Sequence, residues 1–250
     1  MILTWSRVKT VKQIRILFHL VVGLTMITNL PDGIAAESVR TQEIALCLNS
    51  ELVTWGDGND RAAISSPLKF AYSHADAPGW FTKSQAVEMI AKSVAAWSQC
   101  GVPSGLIDLD SFTGRREDVI RVQWSEKSSG GNFGLANIRH RTLSLGPKAF
   151  ELLKTRNPAY DSRETLQMVI SHEMGHFFGL MAHSRRCVDV LSYYNNGKGD
   201  TCYSRDPAGM KGVKEYRHTL PTACDIQRCR MNNGMPLLPG GRLAEHTQAK

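Results

Sequence analysis

Apolar residues recur at helical spacing in two long stretches of the chain. Thr82 stands three residues before Gln85, the spacing of a capping box, and Val87, Ile90, Val94 and Trp97 follow on one helical face. The pattern predicts a helix to about Gln99, stopped at Cys100-Gly101-Val102-Pro103. Asp161 with Glu164 opens a second helix, whose buried face carries Leu166, Val169, Ile170 and Phe177. Residues 118–124 alternate apolar and polar, as a half-buried strand does. Residues 43–55, 67–73, 134–140 and 142–147 also read as strands, and Gly130-Gly131 as a loop. Beyond Gly179 the chain is rich in Gly, Asn and Asp, and 231–250 reads as a flexible, loosely held tail. There is no internal repeat and no long linker.

The first segment has a different pattern. Arg7, Lys9, Lys12 and Arg15 precede an apolar run from Ile16 to Ile27, which Pro31 and Gly33 break before the small residues Ala35 and Ala36. This is the order of a secretory signal peptide, and cleavage is expected after residue 35. The run is shorter than the ~20 residues of a spanning helix, and no membrane association is expected after cleavage. The segment carries +3 of the chain's net +7, which leaves an unremarkable +4 for the rest. No basic stripe is interleaved with aromatics, so a nucleic-acid partner is not expected.

Composition adds that the chain is globular: 42% of its 250 residues are hydrophobic and 21% charged, which excludes a disordered or collagen-like chain. All six cysteines, Cys47, Cys100, Cys187, Cys202, Cys224 and Cys229, follow the cleavage site. An even number in an exported chain reads as disulfides. Position along the chain pairs Cys47 with Cys100 and leaves the other four among themselves.

The chemistry is concentrated in His172-Glu173-Met174-Gly175-His176. Histidines at i and i+4 share a helix face and can share one zinc ion. Glu173, turned about 100° from His172, is placed to act as general base on an activated water rather than as a ligand. A third ligand must come from beyond the helix. If the helix ran on, His183 would lie about 10.5 Å up the axis from His176; a left-handed cap at Gly179 lets the chain turn and bring His183 back. His74, His140 and His218 are other histidine candidates, and Glu215 is a carboxylate alternative.

These residues resemble the signature of the metzincin clan of zinc endopeptidases, H-E-x-x-H-x-x-G-x-x-H/D. The match covers His172, Glu173, His176 and Gly179; the last ligand falls at Ala182 in that register, and His183 comes one residue late. Deleting Ala182 would restore the register. The clan's methionine turn resembles 189–194, with Leu191 where methionine is expected. Carried onto this chain, a tyrosine that ligates zinc or steadies an oxyanion maps onto Tyr193.

The element order is similar to that of matrixins over roughly 65–230. The resemblance implies an α+β, metzincin-like catalytic domain: a twisted mixed sheet with a long helix and an active-site helix, over a small irregular C-terminal subdomain. Residues 36–64 would be an N-terminal extension or a short pro-segment. Cys100-Gly101-Val102-Pro103 resembles the matrixin latency motif, but it lies inside the proposed domain.

The implied function is a secreted, extracellular or periplasmic, zinc-dependent endopeptidase, monomeric and acting on a protein or peptide substrate that pairs with the strand at 134–140. The alternative is a non-catalytic zinc-containing binding module on the same scaffold. Asp and Asn residues around 189–206 have the chemistry for calcium, without a diagnostic spacing.

Overall fold

Side-chain caps set the starts of the two long helices. Thr82 and Gln85 exchange hydrogen bonds with each other's backbone N–H groups, at 3.2 and 3.1 Å. They start helix Lys83–Trp97, which buries Ala86, Ile90, Val94 and Trp97. A short 3-10 turn follows, and Gly101 ends it at φ +87°. Asp161 caps helix Ser162–Phe177 by accepting from the N–H groups of Arg163 and Glu164.

The computed structural model describes residues 38–243. The expected signal peptide, and residues 244–250 of the expected tail, lie outside the described residues. In chain order the helices are α1 (Val39–Ala45), α2 (Lys83–Trp97), α3 (Glu126–Ser129), α4 (Pro147–Arg156), α5 (Ser162–Phe177) and α6 (Ala223–Asn232). The strands are β1 (Leu68–Tyr72), β2 (Ser104–Leu106), β3 (Val119–Trp124), β4 (Gly134–Asn137) and β5 (Thr142–Leu145).

The five strands form one mixed sheet in the order β2-β1-β3-β5-β4. The first four are parallel, and β4 runs antiparallel to β5 along an edge. β5 is buried at all four positions, as expected of a strand covered on both faces. The core is continuous from Phe70, Ile120 and Leu143 of the sheet to Trp97, Ile170, Met174 and Ile226 of the helices. Trp97 is fully buried, donates its indole N–H to the Ser171 carbonyl at 3.0 Å and stacks on Phe178. Gly175 permits this close approach, because a Cβ there would stand 2.7 Å from the Trp97 ring. Among the described residues no helix is long and apolar enough to cross a membrane.

Several expectations are corrected. Residues 43–55 are not a strand. Ser38 caps α1, and the buried Glu43 of that helix accepts from the Arg205 N–H and the Tyr216 hydroxyl. The expected small irregular C-terminal subdomain is corrected in part: the described residues carry no helix or strand between α5 and α6, but α6 is a regular helix opened by a Thr222/Asp225 capping box, and its Ile226 and Cys229 belong to the main core. The 231–243 part of the expected tail is tied back, with the Leu238 N–H on Gln227 and the Leu243 N–H on the Ala45 carbonyl.

The disulfides are Cys47–Cys224, Cys100–Cys229 and Cys187–Cys202, so the expected Cys47–Cys100 pair is wrong. Cys100 ends the α2 turn facing α6, and Cys47 follows α1, which also meets α6. Proximity in sequence therefore misled the pairing. Three disulfides fit an oxidising compartment. Peptide mapping without reduction should recover these three pairs; a Cys47–Cys100 peptide would contradict the fold.

Candidate metal centre

Helix α5 ends one residue after His176, and its end shapes the site. Phe178 caps the helix and Gly179 follows at φ +101°. The Gly179 N–H bonds the His176 carbonyl and the Leu180 N–H reaches the Gly175 carbonyl, which together make a Schellman turn. A Cβ on Gly179 would lie 1.9 Å from the Arg61 carbonyl oxygen, so glycine is required by both conformation and space. The turn brings His183 back to the helix.

The structure brings His172, His176 and His183 together. Their ring centroids are 5.1 to 5.3 Å apart, and one donor atom from each lies within 4.8 Å of the others. Each ring is oriented through Nδ1: His172 donates to the Val190 carbonyl, His176 to the Leu180 carbonyl and His183 to Asp57 Oδ2, all at 2.7 Å. With the proton on Nδ1, each Nε2 presents a lone pair. The Nε2 atoms of His172 and His183 are 3.2 Å apart. Two lone pairs at that distance repel unless a cation or a proton lies between them. Two imidazoles bound to one tetrahedral zinc at about 2.0–2.1 Å would have nitrogens about 3.3–3.4 Å apart, so the donor set fits the ion. Burial holds His172 well below the usual histidine range and brings His176 down to about 4, which keeps both neutral, as ligands must be.

Glu173 lies beside edge strand β4. Its Oε2 accepts the Ala136 N–H at 2.8 Å, and the absent side chain of Gly134 leaves room for its methylene. Burial pushes its carboxyl up to about 7, against the Ala136 hydrogen bond. Tyr193 lies at the rim: its ring is 4.8 Å from the His183 ring, and its hydroxyl donates to Asp57 Oδ2 at 2.6 Å. Burial and the Asp57 carboxylate raise that hydroxyl to about 12. For Asp57, burial works upward, but the hydrogen bonds from Tyr193 and His183 hold it at about 2.

A buried polar network supports the floor. Leu191 is fully buried, and its Cδ1 would touch a Cβ on Gly175. Arg186, also fully buried, pairs with Asp189, which accepts from Ser184 and Thr222. Asp225, at the start of α6, accepts the Val190 N–H at 2.9 Å, and the Val190 carbonyl holds His172. Removing one partner of such a buried pair typically costs about 3–5 kcal/mol.

Other sequence candidates are occupied elsewhere. Glu215 pairs with Arg217 and accepts from Tyr194, His74 bonds Tyr72, and His218 bonds the Leu220 carbonyl. His140 is exposed on the β4–β5 turn. Asp189 belongs to the buried network, and Asn196 and Asp200 bond each other; among the described residues no group of three His, Cys, Asp or Glu side chains gathers within 189–206. Among the described residues, one other cluster of three ligand-type side chains occurs, Cys47, Glu51 and Cys224; its two cysteines are joined as a disulfide.

Sequence reasoning missed Asp57, Asp60, Asp225 and Arg228. Asp60 Oδ1 accepts both the Met181 and the Ala182 N–H groups, at 2.8 and 2.9 Å. Its other oxygen pairs with Arg228 at 2.7 Å, and Arg228 also donates to the Ala182 carbonyl. The turn residues Asp57-Gly58-Asn59-Asp60 were the available signal, but nothing in their spacing links them to residue 183.

No family model and no curated protein matches the sequence. Among solved structures, the chain is similar to one described as "GM1 bound form of the ECX AB5 holotoxin". The identity is 14% and the TM-score 0.45, covering 75% of this chain and 91% of that one. The metzincin-like fold class expected from the motif is corrected to the fold observed: one five-stranded mixed sheet in the order β2-β1-β3-β5-β4, with six α-helices among the described residues.

Proposed function

We propose that this chain is an exported zinc-dependent endopeptidase. The observation that carries the reading is the histidine trio, in which three Nδ1 positions are committed to fixed acceptors and the Nε2 lone pairs are left to a common ion. His172, His176 and His183 would hold the zinc, the three protein ligands usual for a catalytic site. Zinc bound there would polarise a peptide carbonyl and bring the pKa of water to about 7.

The chain's own groups account for the remaining requirements. Glu173 takes the proton of the attacking water and passes it to the leaving amine. The Ala136 N–H holds the other end of that carboxylate, so the base is aimed before substrate arrives. Ala136 turns its N–H away from β5, and its carbonyl faces the same open side of the edge strand. An extended peptide can pair with that side, which supports a peptide as substrate. One and two turns before His172 on α5, Met168 and Thr165 line a cavity of about 780 Å³ that residues 212–215 and 217–219 also line. The resemblance of residues 172–183 to the metzincin motif agrees with this chemistry, and the three disulfides agree with export.

Metal analysis of the purified protein should find about one zinc per chain, and a chelator should abolish cleavage of an unstructured peptide until zinc is returned. Protein prepared with zinc that holds none, or cleavage indifferent to the chelator, would overturn the reading.

A further inference from the structure

We propose that Asp57 is a positioning residue of the metal centre, its one carboxylate fixing both His183 and Tyr193. This rests on the zinc reading above. Asp57 Oδ1 accepts the His183 backbone N–H at 2.9 Å, and Oδ2 accepts the His183 Nδ1–H at 2.7 Å. The carboxylate therefore grips the main chain and the ring of the same residue, which fixes the ring's direction as well as its proton. Oδ2 also accepts the Tyr193 hydroxyl at 2.6 Å. Tyr193 in turn stacks on Trp55, with ring centroids 5.6 Å apart and planes 4° from parallel.

The three histidines differ in a way that explains this arrangement. His172 and His176 stand on α5, and neutral carbonyls suffice to orient them. His183 stands on a loop, and its orienting partner is charged. A carboxylate on Nδ1–H fixes the tautomer and raises the ligand strength of the opposite nitrogen. The segment that supplies it is laced to the loop along its length. The Trp55 N–H bonds the His183 carbonyl, the Arg61 N–H the Gly179 carbonyl and the Ile64 N–H the Phe177 carbonyl. Residues 54–64 are thus a wall of the site, and a protein trimmed of them would lose the third ligand's support. Tyr193, with its hydroxyl on Asp57, acts through that residue.

The test uses the full mature chain and compares the parent with Asp57→Asn, Tyr193→Phe and the double variant. Zinc affinity is read by competitive chelator titration, the cobalt(II)-substituted protein by its visible spectrum, and the fold by unfolding of the metal-free protein. Asparagine has a single accepting end, so its NH2 must face either the His183 backbone N–H or the ring and tyrosine protons. Asp57→Asn should weaken zinc about 10–100-fold and shift the cobalt bands, while the metal-free protein unfolds near the parent's midpoint. Tyr193→Phe should weaken zinc less, and add nothing once Asp57→Asn is present. Parent affinity and an unchanged cobalt spectrum in Asp57→Asn, in a protein whose His183→Ala variant binds weakly, would overturn this proposal alone. A parent that binds no zinc overturns the zinc reading and this proposal with it. If Asp57→Asn does not fold, Tyr193→Phe decides: an unchanged cobalt spectrum and affinity there overturn the proposal.

Discussion

Replacing Glu173 with glutamine should lower peptide cleavage by about 10²–10⁴-fold while leaving zinc content unchanged. Glutamine has nearly the same shape, and its carbonyl oxygen can still accept the Ala136 N–H that now bonds Oε2 at 2.8 Å. What it loses is the ability to take a proton. None of the orienting hydrogen bonds of the three histidines involves Glu173, so the metal site should survive the exchange. Burial, working against the Ala136 hydrogen bond, raises the Glu173 carboxyl to about 7. A cation held beside it favours the charged form and draws that value down, which suits a base that must be ionised before it acts. The check is kcat/KM on an unstructured peptide beside a chelator titration of the same preparation. Turnover within tenfold of the parent would assign the base to another group. Loss of the metal together with the activity would make Glu173 a support of the site rather than its base.

The parts of the fold legible in the sequence were those fixed by local rules. Thr82 with Gln85, and Asp161 with its first-turn neighbours, mark helix starts because the backbone donors of a first turn need acceptors. The apolar runs at 68–72, 119–124 and 142–145 mark strands because burial selects their side chains. Where charged residues are buried, the same logic fails. Helix α6 buries Asp225, Gln227 and Arg228, so its inward face does not read as apolar and the sequence gives no amphipathic stripe to find. In α1 the buried Glu43 has the same effect. The disulfides were misassigned because pairing follows the packing of α1 and of the turn after α2 against α6, which no spacing encodes.

The metal centre divides along the same line. His172, Glu173 and His176 are placed by one helix, and Gly179 by the turn that ends it, so four residues carry that much. A motif of this length specifies a helix and a turn and nothing about strand order, which is why a fold class inferred from it went too far. Asp57 and Asp60 stand more than 120 residues before the loop they hold. Their role exists only once residues 54–64 lie along 177–184.

Replacing His183 with alanine should weaken zinc binding by more than about 100-fold. Losing the hydrogen bond behind a ligand costs about 10–100-fold, and losing the ligand itself should cost more, since two protein ligands fall short of the usual three. Deleting Ala182 separates the sequence from the structure. In the motif's register the deletion is a repair that moves a histidine to the expected position, and metal binding should persist at least partly. In the structure the extra residue is fixed at both ends of its peptide. Its N–H shares Asp60 Oδ1 with that of Met181, and its carbonyl accepts from Arg228. Shortening the loop pulls His183 away from Asp57 and leaves the Asp60–Arg228 pair, only 13% and 8% exposed, without its main-chain partners. The deletion should therefore weaken zinc about as much as His183→Ala does, and lower the unfolding midpoint as well. Competitive chelator titration of the two variants beside the parent measures this. Parent affinity in His183→Ala would move the third ligand elsewhere. Parent affinity in the deletion would mean that the loop follows the motif's register and that the Asp60 contacts do not define it.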